Sequence, residues 1–270
     1  MRAWGWLLLG AASCTTIQIG EQDAFDVKQT VDADFFQTRG ATREKLRIPG
    51  ADPKVSLDAW YVRKPDSRGT VLLYGGNGYL MVTAHAQLDA LLKLPVDVLT
   101  FDYRGYGRST GSPSVAALEA DALAVYDHLV QELAIDPDQL ILHGHSLGSF
   151  VAMFVEEERS AAAVVLENPV SNVDDLVGGL VPWLFDPFVR FEVDEELKRN
   201  DNLARAERTR SPLLVFSGTE DPIAPDRMAK AIHERAVGSE WVSIEGGGHN
   251  DLPRHPPFVE RYQALLNRAL

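Results

Sequence analysis

Gly144-His145-Ser146-Leu147-Gly148 sets a serine between two glycines, after the apolar run Gln139–His143 and before a segment with helical spacing. A turn this sharp from strand to helix leaves little room for side chains, so glycine suits both flanking positions. The bend presents the Ser146 hydroxyl at the start of the helix. It also aims the Leu147 backbone N–H at the space where negative charge develops when a carbonyl carbon is attacked. A serine hydroxyl is a weak nucleophile without a base to take its proton. Two further segments supply groups for that task. Asp221, in Thr219-Glu220-Asp221-Pro222, follows the apolar run Leu213–Ser217, and His249, after Gly246-Gly247-Gly248, follows Trp241–Ile244. In this reading His249 accepts the Ser146 proton, while Asp221 orients the imidazole and stabilises its charged form. Glu167 also ends an apolar run and is the alternative acid.

Other polar residues are weighed against this set. Gly75-Gly76-Asn77-Gly78 follows Thr70–Tyr74, and its glycines allow backbone to approach a substrate closely. The second oxyanion N–H is assigned to Asn77, with Gly76 the nearby alternative. Asp102 and Arg104, in the turn Asp102–Ser109, are read as structural supports. His143 and His145 stand too near Ser146 in sequence to serve it and are read as packing residues. Asp251 is read as a helix N-cap, and Glu156-Glu157-Glu158 as a solvated helix face. No set of His, Asp, Glu or Cys has metal-ligand spacing, so neither metal nor cofactor is expected.

The elements that must position these residues alternate. Strands are expected at Val55–Arg63, Thr70–Tyr74, Val96–Phe101, Gln139–His143, Ala162–Leu166, Leu213–Ser217 and Trp241–Ile244. Helices are expected at Met81–Leu94, Ala116–Leu133, Leu147–Glu158, Asp226–Ala236 and Pro257–Leu270. Such alternation implies an α/β fold, a mostly parallel sheet with helices on both faces, whose ligands sit at the carboxyl ends of the strands. After Asn168-Pro169 the pattern breaks. The irregular segment Val173–Arg210 carries Trp183, Phe185 and Phe188, which either complete the core beneath a short lid or line an apolar acyl pocket.

The chain has 270 residues, 45% of them hydrophobic and 24% charged, which suits a folded protein with a sizeable core. A formal net charge of -13 argues against nucleic acid as a partner, because phosphate binding needs clustered Lys and Arg. The first residues differ from the rest. Arg2, an apolar run over Ala3–Ala12 and then Ser13-Cys14 have the layout of a secretory signal. Cys14 is the one cysteine and cannot form an internal disulfide. The arrangement resembles a bacterial lipoprotein signal over residues 1–13, although Ala11 stands where that pattern usually has Leu. It implies a lipidated Cys14 that attaches the protein to a membrane of the cell envelope; a cytoplasmic location is the alternative. Residues 14–42 are expected to form a polar tether, docked through Phe35 and Phe36.

Together, Gly144–Gly148, Asp221, His249, Gly75–Gly78 and Asp102–Ser109 resemble the α/β-hydrolase superfamily over roughly residues 45–270. Gly76-Asn77, the Asp102–Ser109 turn and Glu167-Asn168-Pro169 resemble its small-capped subgroup, which includes serine aminopeptidase-type domains, lysophospholipase-like enzymes and protein depalmitoylases. The resemblance implies one hydrolase domain over residues 43–270, with residues 173–210 as a cap insertion. It also implies the chain order of nucleophile, acid and histidine found here. The expected activity is that of a carboxylesterase or thioesterase, cleaving a small-molecule or lipid-like acyl ester or thioester. Peptidase or aminopeptidase activity and acyl transfer are alternatives with the same groups, and an envelope binding protein without catalysis is a further one.

Overall fold

Uninterrupted apolar runs become strands because both of their faces are covered. The computed structural model describes residues 15–19, 35–178 and 189–270. Ten strands are described: β1 (Thr15–Ile19), β2 (Thr42–Pro49), β3 (Ser56–Arg63), β4 (Thr70–Tyr74), β5 (Asp97–Phe101), β6 (Leu140–His145), β7 (Ala163–Glu167), β8 (Val189–Val193), β9 (Leu213–Gly218) and β10 (Glu240–Ile244). Eight α-helices accompany them: α1 (His85–Leu91), α2 (Val115–Gln131), α3 (Gly148–Glu158), α4 (Val173–Gly178), α5 (Glu195–Lys198), α6 (Asn202–Ala206), α7 (Asp226–Arg235) and α8 (Pro256–Ala269). The main sheet has eight strands in the order β10-β9-β7-β6-β4-β5-β3-β2. Only β3 runs against its neighbours β2 and β5; the remaining pairs are parallel. This is the doubly covered, mostly parallel sheet that the sequence implies.

Strand β4 shows the logic. All five of its residues are buried, and alternate side chains face opposite layers. Leu72 and Tyr74 share a core with Leu118 and Val125 of α2 and Val151 and Val155 of α3. Val71 and Leu73 share the other core with Leu88 and Leu91 of α1 and Phe258 and Tyr262 of α8. A third, smaller cluster joins Phe150 and Met228 to Val173, Val177 and Leu197, and so seats α4 and α5 over the sheet. Asn202 and Arg205 fasten the segment that follows. The Asn202 amide donates to Ser149 Oγ and to the Val170 carbonyl, at 3.0 and 2.9 Å, and the buried Arg205 guanidinium donates to Glu119.

Several expectations are revised. Strand β2 carries charged residues along most of its length and lies at the sheet edge, where Arg, Lys and Glu discourage pairing with another chain. The expected helix Met81–Leu94 divides into a 3₁₀ turn, Met81–Thr83, and α1. The Met81 N–H is drawn to the Asp102 carboxylate at 2.9 Å, and the Thr83 hydroxyl folds back on the Leu80 carbonyl. Glu156 is not on a solvated face: it is buried and accepts the backbone N–H groups of Arg210 and Ser211. Phe36 docks as expected, edge-on to Trp60 with ring centroids 5.5 Å apart. Residues 15–19, expected within a tether, form β1 and pair in parallel with β8 as a separate two-stranded sheet. Residues 1–13, Cys14, Trp183, Phe185 and Phe188 lie outside the described residues. Among those described, no helix is long and apolar enough to cross a membrane.

Asp102 and Arg104 are structural supports. Arg104 forms a forked pair with Asp121, at 2.6 and 2.5 Å. Burial raises the Asp102 carboxyl from its ordinary 3.8 to about 6, with hydrogen bonds from the Met81 and Arg108 amides opposing the shift only in part. Between those two values the folded protein holds a proton that the unfolded chain has released. This group's contribution is therefore full below about pH 4 and is lost as pH rises through about 6. The melting temperature of the wild type, relative to Asp102→Asn, is predicted to fall as pH goes from about 4.5 to about 7. A difference that stays constant across that range would contradict this assignment.

Candidate active site

The neighbours β10, β9, β7, β6 and β4 run parallel, so the loops leaving their carboxyl ends emerge on one edge of the sheet. Those loops carry His249, Asp221, Asn168, Ser146 and Gly75–Gly78 in turn. Ser146 sits between β6 and α3 at φ 52°, a left-handed conformation that a non-glycine residue adopts at a cost of about 1–2 kcal/mol. Close packing of backbone on both sides holds it there. A Cβ on Gly148 would overlap the carbonyls of Tyr74 and Gly75, and one on Gly144 would overlap the backbone of Gly148. The Ser146 N–H donates to the Glu167 carbonyl at 2.9 Å, and the Ser146 carbonyl accepts from Ser149 N–H at 2.9 Å.

The three residues singled out in the sequence meet. The Ser146 hydroxyl lies 3.0 Å from His249 Nε2, and His249 Nδ1 lies 2.7 Å from Asp221 Oδ2. With its proton on Nδ1, donated to the carboxylate, the imidazole leaves Nε2 free to accept from the hydroxyl. Asp221 Oδ1 accepts the Ile223 and Ala224 N–H groups at 2.8 and 2.9 Å, so this buried carboxylate faces donors at both oxygens. Such a chain can pass the hydroxyl proton to the imidazole while the carboxylate stabilises the resulting charge. Glu167, the alternative acid, does not reach His249. Its oxygens accept from Gln87 Nε2 at 3.1 Å and His143 Nε2 at 3.2 Å.

Two of the expected oxyanion groups flank Ser146. The Leu147 N–H stands at the N-terminal end of α3 and has no hydrogen-bond partner among the described residues. Gly76 brings backbone against the serine: a Cβ placed on it would lie 3.1 Å from Ser146 Cβ. Asn77 is exposed and lines the same cavity, of about 540 Å³, which opens onto Ser146 and His249. The remaining polar lining includes Thr83, His85, Gln87, Asn250 and Arg254. Among the described residues, no group of His, Cys, Asp and Glu is arranged to hold a metal ion.

The sequence reading missed what holds His249. Asn168, directly after β7, donates its side-chain amide to the carbonyls of Gly248 and His249 at 2.9 and 3.0 Å, and its Oδ1 accepts the Gly218 N–H. His145 is more than packing: its Nε2 donates to the His249 carbonyl at 2.9 Å. Burial pushes the His145 ring below its ordinary pKa, which keeps it neutral beside His249. Asp251 stands at the N-cap position of the 3₁₀ turn Leu252–Arg254, as expected, but its side chain does not cap that turn; its carboxylate accepts the Gly248 N–H at 2.7 Å and braces the same loop. The available signal was position alone. Asn168 occupies the carboxyl end of a buried strand, as Ser146 and Asp221 do.

A model described as the alpha/beta hydrolase family matches residues 71–202, and one described as TAP-like protein matches residues 190–266. The chain is 30% identical over 207 residues to the alpha/beta hydrolase domain-containing protein aho-3 of Caenorhabditis elegans, covering 75% of this chain and 59% of that protein. It is 33% identical over 201 residues to an uncharacterised Mycobacterium tuberculosis protein, covering 72% and 68%. Human alpha/beta hydrolase domain-containing protein 17C is 29% identical over 229 residues, covering 79% and 63%. The alignments thus span about three-fifths to two-thirds of the length of these relatives. Among solved structures, the Pyrococcus furiosus esterase Pf2001 superposes with a TM-score of 0.70 at 19% identity, covering 90% of this chain and 99% of that one. Est1E of Butyrivibrio proteoclasticus, solved with ferulic acid, gives 0.66 at 17% identity, covering 83% and 98%. A puromycin-hydrolysing peptidase of Mycobacterium tuberculosis gives 0.64 at 16%, covering 85% and 39%. These structures share the fold.

Removing the Asn168 amide orphans the Gly218 N–H, takes its donor from the Gly248 carbonyl and leaves the His249 carbonyl to His145. Asn168→Ala is predicted to lower the unfolding free energy by about 1–3 kcal/mol. It should also speed amide hydrogen exchange across residues 246–251. Unchanged protection of that loop would show that Asn168 does not hold it.

Proposed function

The chain belongs to the α/β hydrolase family, and from that premise we propose that it is a serine hydrolase cleaving a carboxylic ester or thioester through an acyl-enzyme on Ser146. The observation that carries this reading is the continuous hydrogen-bond chain from Asp221 through His249 to the Ser146 hydroxyl. In the proposed first step His249 Nε2 takes the hydroxyl proton as Ser146 Oγ bonds the carbonyl carbon. The carbonyl oxygen gains negative charge and accepts hydrogen bonds from the backbone N–H groups of Leu147 and Asn77. His249 then returns the proton to the departing oxygen or sulfur, leaving the acyl group on Ser146. Water, deprotonated by the same imidazole, releases the acid.

A second reading is hydrolysis of an amide. It uses the same groups and differs only in a leaving nitrogen. Acyl transfer would use the same intermediate with an acceptor other than water.

Turnover of p-nitrophenyl esters of graded chain length tests the proposal. Ser146→Ala is predicted to lower kcat/KM by about 10⁴-fold or more with little change in melting temperature. Substantial turnover by that variant would refute a role for Ser146. Cleavage of aminoacyl arylamides in preference to these esters would favour the amide reading.

A further inference from the structure

The cavity beside Ser146 differs in charge from the protein around it. The chain has 39 Asp and Glu against 26 Lys and Arg, yet no carboxylate lines this cavity among the described residues. Its lining is neutral and polar at Asn77, Thr83, Gln87 and Asn250, and it carries one guanidinium, that of Arg254. Arg254 sits in the 3₁₀ turn Leu252–Arg254, five positions after His249 along the same loop, and its neighbours Leu252 and Pro253 are buried. That burial anchors the turn while Arg254 itself remains exposed. Arg104, Arg159, Arg205 and Arg268 all pair with carboxylates. The Arg254 guanidinium has no such partner among the described residues. The nearby acids are turned elsewhere: Asp251 accepts the Gly248 N–H and faces His255, and Asp221 is held by His249, Ile223 and Ala224.

Resting on the hydrolase reading above, we propose that Arg254 is a specificity residue that receives an anionic group, a carboxylate or a phosphate, on the leaving group of the substrate. The leaving-group side follows from the chemistry. His249 must hand its proton to the departing atom, so that part of the substrate lies nearest the loop bearing His249, Asn250 and Arg254. Ile223, half exposed on the same cavity, offers an apolar surface for the stem between the scissile bond and the anion. A lone cation in a carboxylate-free hollow of an acidic protein is where an anion is favoured, while the surface around it repels one. A guanidinium also matches a pair of oxygens on a carboxylate or phosphate with its paired N–H donors.

The test compares acetyl esters that differ in the leaving group: 4-acetoxybenzoate, its neutral amide 4-acetoxybenzamide, and 4-acetoxyphenyl phosphate. Differences in intrinsic reactivity cancel when each variant is divided by the wild type. Arg254→Gln is predicted to lower the kcat/KM ratio of anionic to neutral ester roughly three- to tenfold, chiefly through KM, as expected for an exposed charge pair. Arg254→Lys should restore part of the ratio, and added salt should shrink the difference. A larger loss for the phosphate than for the carboxylate identifies phosphate as the preferred anion, and the reverse identifies carboxylate. An unchanged ratio in Arg254→Gln, or equal loss on all three esters, overturns the proposal while leaving the hydrolase reading intact. Failure of the wild type to hydrolyse any of them overturns both.

Discussion

The structure turns on the contact of backbone with backbone beneath Ser146. Strand β6 can bend into α3 there only because Gly144 and Gly148 let the two arms of the turn, and the end of β4, lie within touching distance. Any side chain at either glycine would push α3 off the sheet. The same contact forces Ser146 to a positive φ, and the bonds from its N–H to Glu167 and from Ser149 to its carbonyl offset that strain. The Ser146 backbone is thereby held by main-chain contacts, and its hydroxyl lies 3.0 Å from His249 Nε2.

Strand order does the rest of the positioning. Because β7 and β9 lie between β6 and β10, residues distant in sequence leave the sheet side by side. His249 comes from a loop that glycines make pliable, and such a loop would wander without restraint. Asn168, His145 and Asp251 each hold it through a hydrogen bond to its main chain. Asp221 is held the same way, by two amides of its own loop. A buried carboxylate without such donors would be costly, and with them it stays where His249 needs it.

The sequence was legible where structure is local. The apolar runs of β4, β5, β6, β7 and β9 are buried on both faces, so their pattern survives translation from sequence to sheet, and the glycine-flanked Ser146 turn follows from sterics alone. Legibility failed where a distant partner decides. The charged strand β2 is a strand because β3 pairs with it, and nothing in its own pattern requires that. Met81 leaves its helix for Asp102, twenty-one positions away. Glu156 reads as surface until residues 210 and 211 cover it, and Asn168 reads as a loop residue until it meets Gly218 and His249. Charge at the site was hidden for the same reason, since the lining of a cavity belongs to no single segment.

The central claim is that Ser146 alone carries the covalent intermediate. Intact-mass and peptide mass spectrometry after treatment with a fluorophosphonate tests it most directly. The account predicts a single adduct on the peptide containing Ser146 and no adduct in Ser146→Ala. An unmodified wild type, or an adduct that persists in the variant, would contradict it.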